Sequence, residues 1–212
     1  MKKLTDLTEE QVDALKEIAS IGVSHATTAF AKLLGQKQKV MIKVPQLSIK
    51  PLSEFGQSLG QFDKILVGIY FRVLGKASGR ILLTFNKESA MAMADILMKR
   101  QPGQTRILSE MDQSALQETG AILTAACLNA LAKFLDMTLI PSVPHFIFDR
   151  SNVVAASVFE ENKTETDYIL IVDSEFQTAD RQILGKFFLF PDEEALNAIW
   201  HALGKYVNQK NL

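Results

Sequence analysis

Glu17 and Ser20 stand three residues apart in the stretch DALKEIASIGVSHATTAFAKLL, Asp13 to Leu34, and Glu118 stands three residues before Ala121 in SALQETGAILTAACLNALAKFL, Ser114 to Leu135. A carboxylate accepts hydrogen bonds and attracts a cation, and a hydroxyl both donates and accepts. At about 100° per residue, Glu17 shares a helical face with Asp13, Ser20 and Ser24, and Glu118 shares one with Ser114, Ala121 and Ala125. An exposed helical glutamate ordinarily only solvates its helix. Recurrence at the same register argues for more, because a solvating position has no reason to keep its identity.

No other constellation competes. His25, His145 and His201 have no ligand-type partner three or four residues away, which disfavours a zinc or iron site. The sequence lacks the nucleophile elbow, the Walker loop and a strand followed by a dinucleotide-binding glycine pattern. Gly75 to Arg80, GKASGR, lies between two strand-like runs and reads as a hairpin turn rather than a phosphate cradle. The single cysteine, Cys127, sits in an apolar helical run and excludes a disulfide framework.

The elements that must position the two glutamates follow from periodicity. Leu15, Ile18, Gly22, Ala26 and Phe30 lie on one stripe and predict a helix over about 8–35, opened by Thr8 with Glu9 and Glu10 and closed by Gly35. Residues 39–51 and a hairpin over 64–85 read as strands, and Asn86 caps a further helix. The same order returns after Ser109. A helix over 109–135 is followed by strand-like MTLIPSVPHFIFDR and NVVAASVFE, a second hairpin, and a closing helix capped by Asp192. The two 22-residue stretches share eight identities, more than unrelated amphipathic helices should. These observations predict an α+β fold, internally duplicated with pseudo-two-fold symmetry, its two long helices packed on β-sheet. Each half is too strand-poor to bury a sheet alone, so one domain over 1–212, built of repeats at about 8–100 and 109–207, is expected.

Composition narrows the function class. With 23 basic and 24 acidic residues and no dense cationic stripe, electrostatic binding of nucleic acid is disfavoured. No stretch approaches 18 apolar residues and the N-terminus lacks a signal-peptide core, so a cytoplasmic chain without membrane insertion is expected.

The two helices and the VPQLSIKP and VPHFIFD stretches that follow them resemble the signature regions of the CheC family of chemotaxis phosphatases, related to CheX and FliY. That family's motif is an Asp or Ser, a Glu after three intervening residues, an Asn after two more, and a distant Pro. Here the copies read Asp13, Glu17, Ser20, Pro45 and Ser114, Glu118, Ala121, Pro144, so the Asn is replaced in both. The resemblance covers nearly the whole chain. It implies docking of a long helix on a CheY-type response regulator and hydrolysis of the regulator's aspartyl phosphate, with the Glu pairing with the regulator's lysine and the Asn orienting water. It implies no cofactor in this chain, and Mg in the regulator partner.

Ser20 keeps one donor and acceptor on a shorter stem, whereas Ala121 has neither. Gln117 points about 100° from Glu118, and Ser24 lies a full turn beyond Ser20, so neither is a direct substitute. Two functions follow. One is a weakened response-regulator phosphatase (a hydrolase) with Glu17, Ser20 and Glu118 as its catalytic residues and Asp13, Ser24 and Ser114 completing the partner-binding faces. The other is a non-catalytic module that binds a phosphorylated regulator or a CheD-type deamidase. A switch-associated adaptor related to FliY is a weaker third.

Overall fold

The computed structural model describes residues 8–33, 41–42, 46–60, 64–75, 78–159, 168–177 and 182–210. The first half runs α1 (Glu9–Leu33), β1 (Met41–Ile42), β2 (Gln46–Pro51), a 3-10 turn (Leu52–Glu54), α2 (Phe55–Ser58), the hairpin β3 (Ile65–Leu74) and β4 (Gly79–Asn86), and α3 (Lys87–Leu97). The second runs α4 (Glu110–Leu135), β5 (Ile140–Pro141), β6 (His145–Arg150), α5 (Ser151–Phe159), the hairpin β7 (Tyr168–Gln177) and β8 (Gln182–Pro191), and α6 (Glu193–Lys210). The order of elements is the same in both. The fold is therefore α+β, with both long helices where the periodicity placed them.

Among the described residues, eight strands join one antiparallel sheet. Its spine is β7-β8-β4-β3, and each hairpin's outer strand takes its edge partners from the opposite half: β1 and β2 pair with β7, and β5 and β6 with β3. The two halves meet at β4 and β8, where Ile81 lies opposite Leu189 and Leu83 opposite Phe187. Neither half can keep its edges covered without the other.

Side chains alternate along the strands, so the sheet has two apolar faces. Val67, Ile69, Phe71, Leu83 and Phe187 point toward α1 and α4, where Ala26, Phe30, Leu116 and Leu123 meet them. Leu66, Tyr70, Leu82 and Phe188 point the other way, toward Phe55 of α2 and Val154 and Val158 of α5. Phe55 stands edge-on to Phe188 and Phe190, with centroids 5.2 and 5.0 Å away. Each such fully buried large side chain contributes about 1.5–3 kcal/mol.

The NVVAASVF residues, expected as a strand, form α5 instead. Its valines suit a strand, but Val154 and Val158 are four residues apart and fully buried while Asn152, Val153 and Ala156 face outward, which is a helical period. The second sheet face must be covered, and Val154 seats over Gly68, where a Cβ would come within 2.9 Å of it. Tertiary packing overrides propensity here. The 3-10 turn and α2, at the corresponding place in the first half, also escaped the sequence reading.

Caps fix the helix starts. The Thr8 N–H donates to Gln11 Oε1 at 3.0 Å and the Gln11 N–H to Thr8 Oγ1 at 3.3 Å. Asn86 Oδ1 accepts from the Ser89 N–H, and Asp192 Oδ1 from the Ala195 N–H, both at 2.7 Å. Gly35 lies outside the described residues.

Candidate functional site: the outer faces of the helix pair

The junction between the halves sets where α4 begins. Asp95 accepts from the Gly103 N–H at 2.7 Å and the Thr105 N–H at 2.8 Å, folding the connection back on α3. Arg100 Nη1 donates to Thr105 Oγ1 at 2.8 Å and to Asp112 Oδ1 at 2.7 Å. Ser109 and Asp112 close a capping box, with the Asp112 N–H on Ser109 Oγ and the Ser109 N–H on Asp112 Oδ2. Burial pushes the Asp112 carboxyl up, but the Ser109 hydroxyl and N–H and the Arg100 guanidinium outweigh it and hold the group below the usual carboxylate range. The start of α4 is thus fixed at the residue before Glu110.

α1 and α4 lie side by side and run antiparallel. Leu15, near the start of α1, packs with Leu131 and Phe134 near the end of α4, and Gly22, at mid-helix, faces Cys127. A Cβ at Gly22 would stand 3.2 Å from Cys127 Sγ, so the glycine permits close approach of the two backbones. Burial raises the Cys127 thiol to about 12, which keeps it neutral inside the seam.

With their inner sides taken up by the sheet and by each other, the helices leave the glutamate faces outward. Asp13, Glu17, Ser24, Ser114 and Glu118 are exposed, and Ser20 and Ala121 are half-buried. Each group of motif residues is therefore together on one face. The two groups are not together, because each glutamate precedes the midpoint contact of its own helix. In an antiparallel pair this puts them at opposite ends, about 20 Å apart along the axis.

Polar partners distinguish the two faces. Asp13 pairs with Lys16 at 3.0 Å, and Ser20 Oγ donates to the Lys16 carbonyl at 2.8 Å. Ser114 Oγ likewise turns inward, donating to the Glu110 carbonyl at 2.9 Å. Among the described residues Glu118 makes no hydrogen bond or ion pair. The sequence reading set Gln117 aside as no direct substitute for the replaced amide. Gln117 is half-buried, and its Nε2 reaches the Pro144 carbonyl at 3.5 Å, a long contact. The only signal in sequence was an amide next to a recurring glutamate. Pro144 sits in a loop pinned to β3, where the Ser142 N–H donates to the Arg72 carbonyl at 2.8 Å and Ser142 Oγ accepts from the Arg72 N–H at 3.0 Å. Pro45 lies outside the described residues.

No protein-family model matches the chain. It is 27% identical over 208 residues to the CheY-P phosphatase CheC of Bacillus subtilis, covering 96% of this chain and 99% of that one. The chain is similar to that CheC along nearly its whole length. Its fold matches that of a Thermotoga maritima FliY crystal structure with a TM-score of 0.73 at 18% identity, covering 94% of this chain and 98% of the crystallised chain. It also matches a chain from the crystal structure of the CheX-CheY-BeF3-Mg complex of Borrelia burgdorferi, with a TM-score of 0.51 at 16% identity, over 81% of this chain and 96% of that one. The chain thus shares its fold with chemotaxis and flagellar proteins along most of its length. Among its described residues no helix is long and apolar enough to cross a membrane.

Proposed function

We propose that this CheC-like chain docks on the phosphorylated form of a CheY-type response regulator and promotes hydrolysis of its aspartyl phosphate. The observation that carries the reading is the pair of exposed glutamates, Glu17 and Glu118, at one register on the outer faces of the antiparallel helices. Similarity to a CheY-P phosphatase along the whole chain supports the same substrate class.

The chemistry asks little of the docking protein. Aspartyl phosphate is an activated acyl phosphate, and a Mg ion held by the regulator offsets its charge, so the partner need only place a water in line. The water oxygen bonds to phosphorus as the acyl O–P bond breaks. The aspartate carboxylate leaves, and both water protons end on dihydrogen phosphate. A glutamate on each face pairs with a regulator lysine and fixes the approach. No group of this chain gains or loses a proton.

The test is phosphoryl decay of a CheY-type regulator with and without saturating protein, beside a titration with the beryllofluoride-activated regulator. Faster decay is expected. Equal decay with clear binding would leave the second reading, a module that binds the phosphorylated regulator without hydrolysing it. One observation favours that reading: Ser20 has its hydrogen on the Lys16 carbonyl and Ala121 has no polar side-chain atom. A CheD-type deamidase is an alternative partner for such a module, and a pull-down with both candidates separates them.

A further inference from the structure

The phosphatase reading leaves one chemical question open, namely which group orients the water. Ser20 is poorly placed for it. Its hydroxyl donates back to the Lys16 carbonyl at 2.8 Å, and Lys16, beside Glu17, is itself tied to Asp13 at 3.0 Å. No carboxamide stands within one turn of Glu17.

The second face differs at one residue. Gln117 occupies the position that corresponds to Lys16, so an amide immediately precedes Glu118. Its contact with the Pro144 carbonyl is long, at 3.5 Å, and near the limit of a hydrogen bond. The Pro144 loop is fixed to β3 through Ser142 and Arg72, so the glutamine is the movable member. Ala121 lies four residues on, a neighbour on the helix surface at about 5–6 Å between Cβ atoms; its methyl packs against the core and carries no polar atom. Glutamine carries one methylene more than asparagine, which lengthens its reach. The angle of about 100° between Gln117 and Glu118 excludes overlap of the two side chains, but Gln117 and Ala121 differ by only about 40°.

We propose that Gln117 is the catalytic amide of this chain, and that hydrolysis occurs at the Glu118 face rather than the Glu17 face. Released from Pro144, its Oε1 accepts from the attacking water while its Nε2–H steadies the water oxygen or a phosphoryl oxygen. The bond changes are those given above, and the amide keeps its protons throughout. The inference rests on the phosphatase reading.

The test compares the native chain with Gln117→Ala, Gln117→Glu and the double variant Gln117→Ala/Ala121→Asn, each measured for regulator dephosphorylation and for affinity to the beryllofluoride-activated regulator. Gln117→Ala and Gln117→Glu are expected to lose about a hundredfold in acceleration, the scale of removing one oriented donor. Affinity for Gln117→Ala should stay near native. Restored hydrolysis in the double variant, with the amide moved to position 121, would separate chemistry from packing. Native-like hydrolysis by Gln117→Ala, or parallel losses of rate and affinity, overturns the assignment alone. Absence of acceleration by the native chain overturns the phosphatase reading and this one with it.

Discussion

A serine that donates to the carbonyl one turn back has committed its only hydrogen, which is why Ser20 cannot be read as a simple stand-in for an amide. Freeing it costs about 1 kcal/mol for an exposed bond, and the oxygen still lacks the second functional atom of a carboxamide. Ser20→Asn supplies both at the position the resemblance marks. On the phosphatase reading it should raise regulator dephosphorylation at least about tenfold, and an unchanged rate would mean that the Glu17 face never meets the phosphoryl group. Charge reversal tests docking at the same scale. Glu17→Lys and Glu118→Lys should each weaken binding of the activated regulator about tenfold or more, by placing like charges across the interface. Calorimetric titration reads the loss. Their effects should add, because sites this far apart share no partners.

At the scale of elements, the junction and the helix seam are the places where small changes should be felt. Asp112 has a folded-state pKa below its ordinary value, so the unfolded chain takes up the proton first as pH falls. Its contribution is complete above the usual carboxylate range and disappears as pH drops through the folded value. Arg100→Ala should destabilise by about 2 kcal/mol near neutral pH, and the deficit against the native chain should shrink in acid, as read by urea unfolding across pH. Gly120 tests the packing of α4 on the sheet. An alanine there gains about 1 kcal/mol of helix propensity but brings a Cβ within 2.7 Å of Ile69 Cδ1 and 3.1 Å of its Cγ2, overpacking that costs about 1–3 kcal/mol. A branched side chain cannot clear both contacts by one rotation, so a modest fall in Tm is expected. The same elements show what sequence could convey. The long helices, both hairpins and the Asn86 and Asp192 caps were legible because each follows from local period or local hydrogen bonding. Helix α5 was not, because its covering role depends on a sheet face that no local pattern reveals. Among site residues, the recurrence of Glu17 and Glu118 was visible, whereas the inward turn of Ser20 and the reach of Gln117 to Pro144 arise from rotamers and a distant loop.

At the scale of the whole molecule, the sheet and the helix pair bind the halves to each other so that neither carries its face alone. One consequence concerns the Gly22–Cys127 contact. The thiol is buried, raised to about 12, and covered by the neighbouring helix, so a thiol reagent meets it only when α1 lifts from α4. Labelling at pH 8 should be slow in the native protein and rapid in denaturant, and a regulator held across the outer faces should slow it further. Fast labelling of the native chain would contradict the tight seam. Cys127 is in this sense a built-in clock: it times how often the two halves of the docking surface part, without any probe being added to the faces themselves.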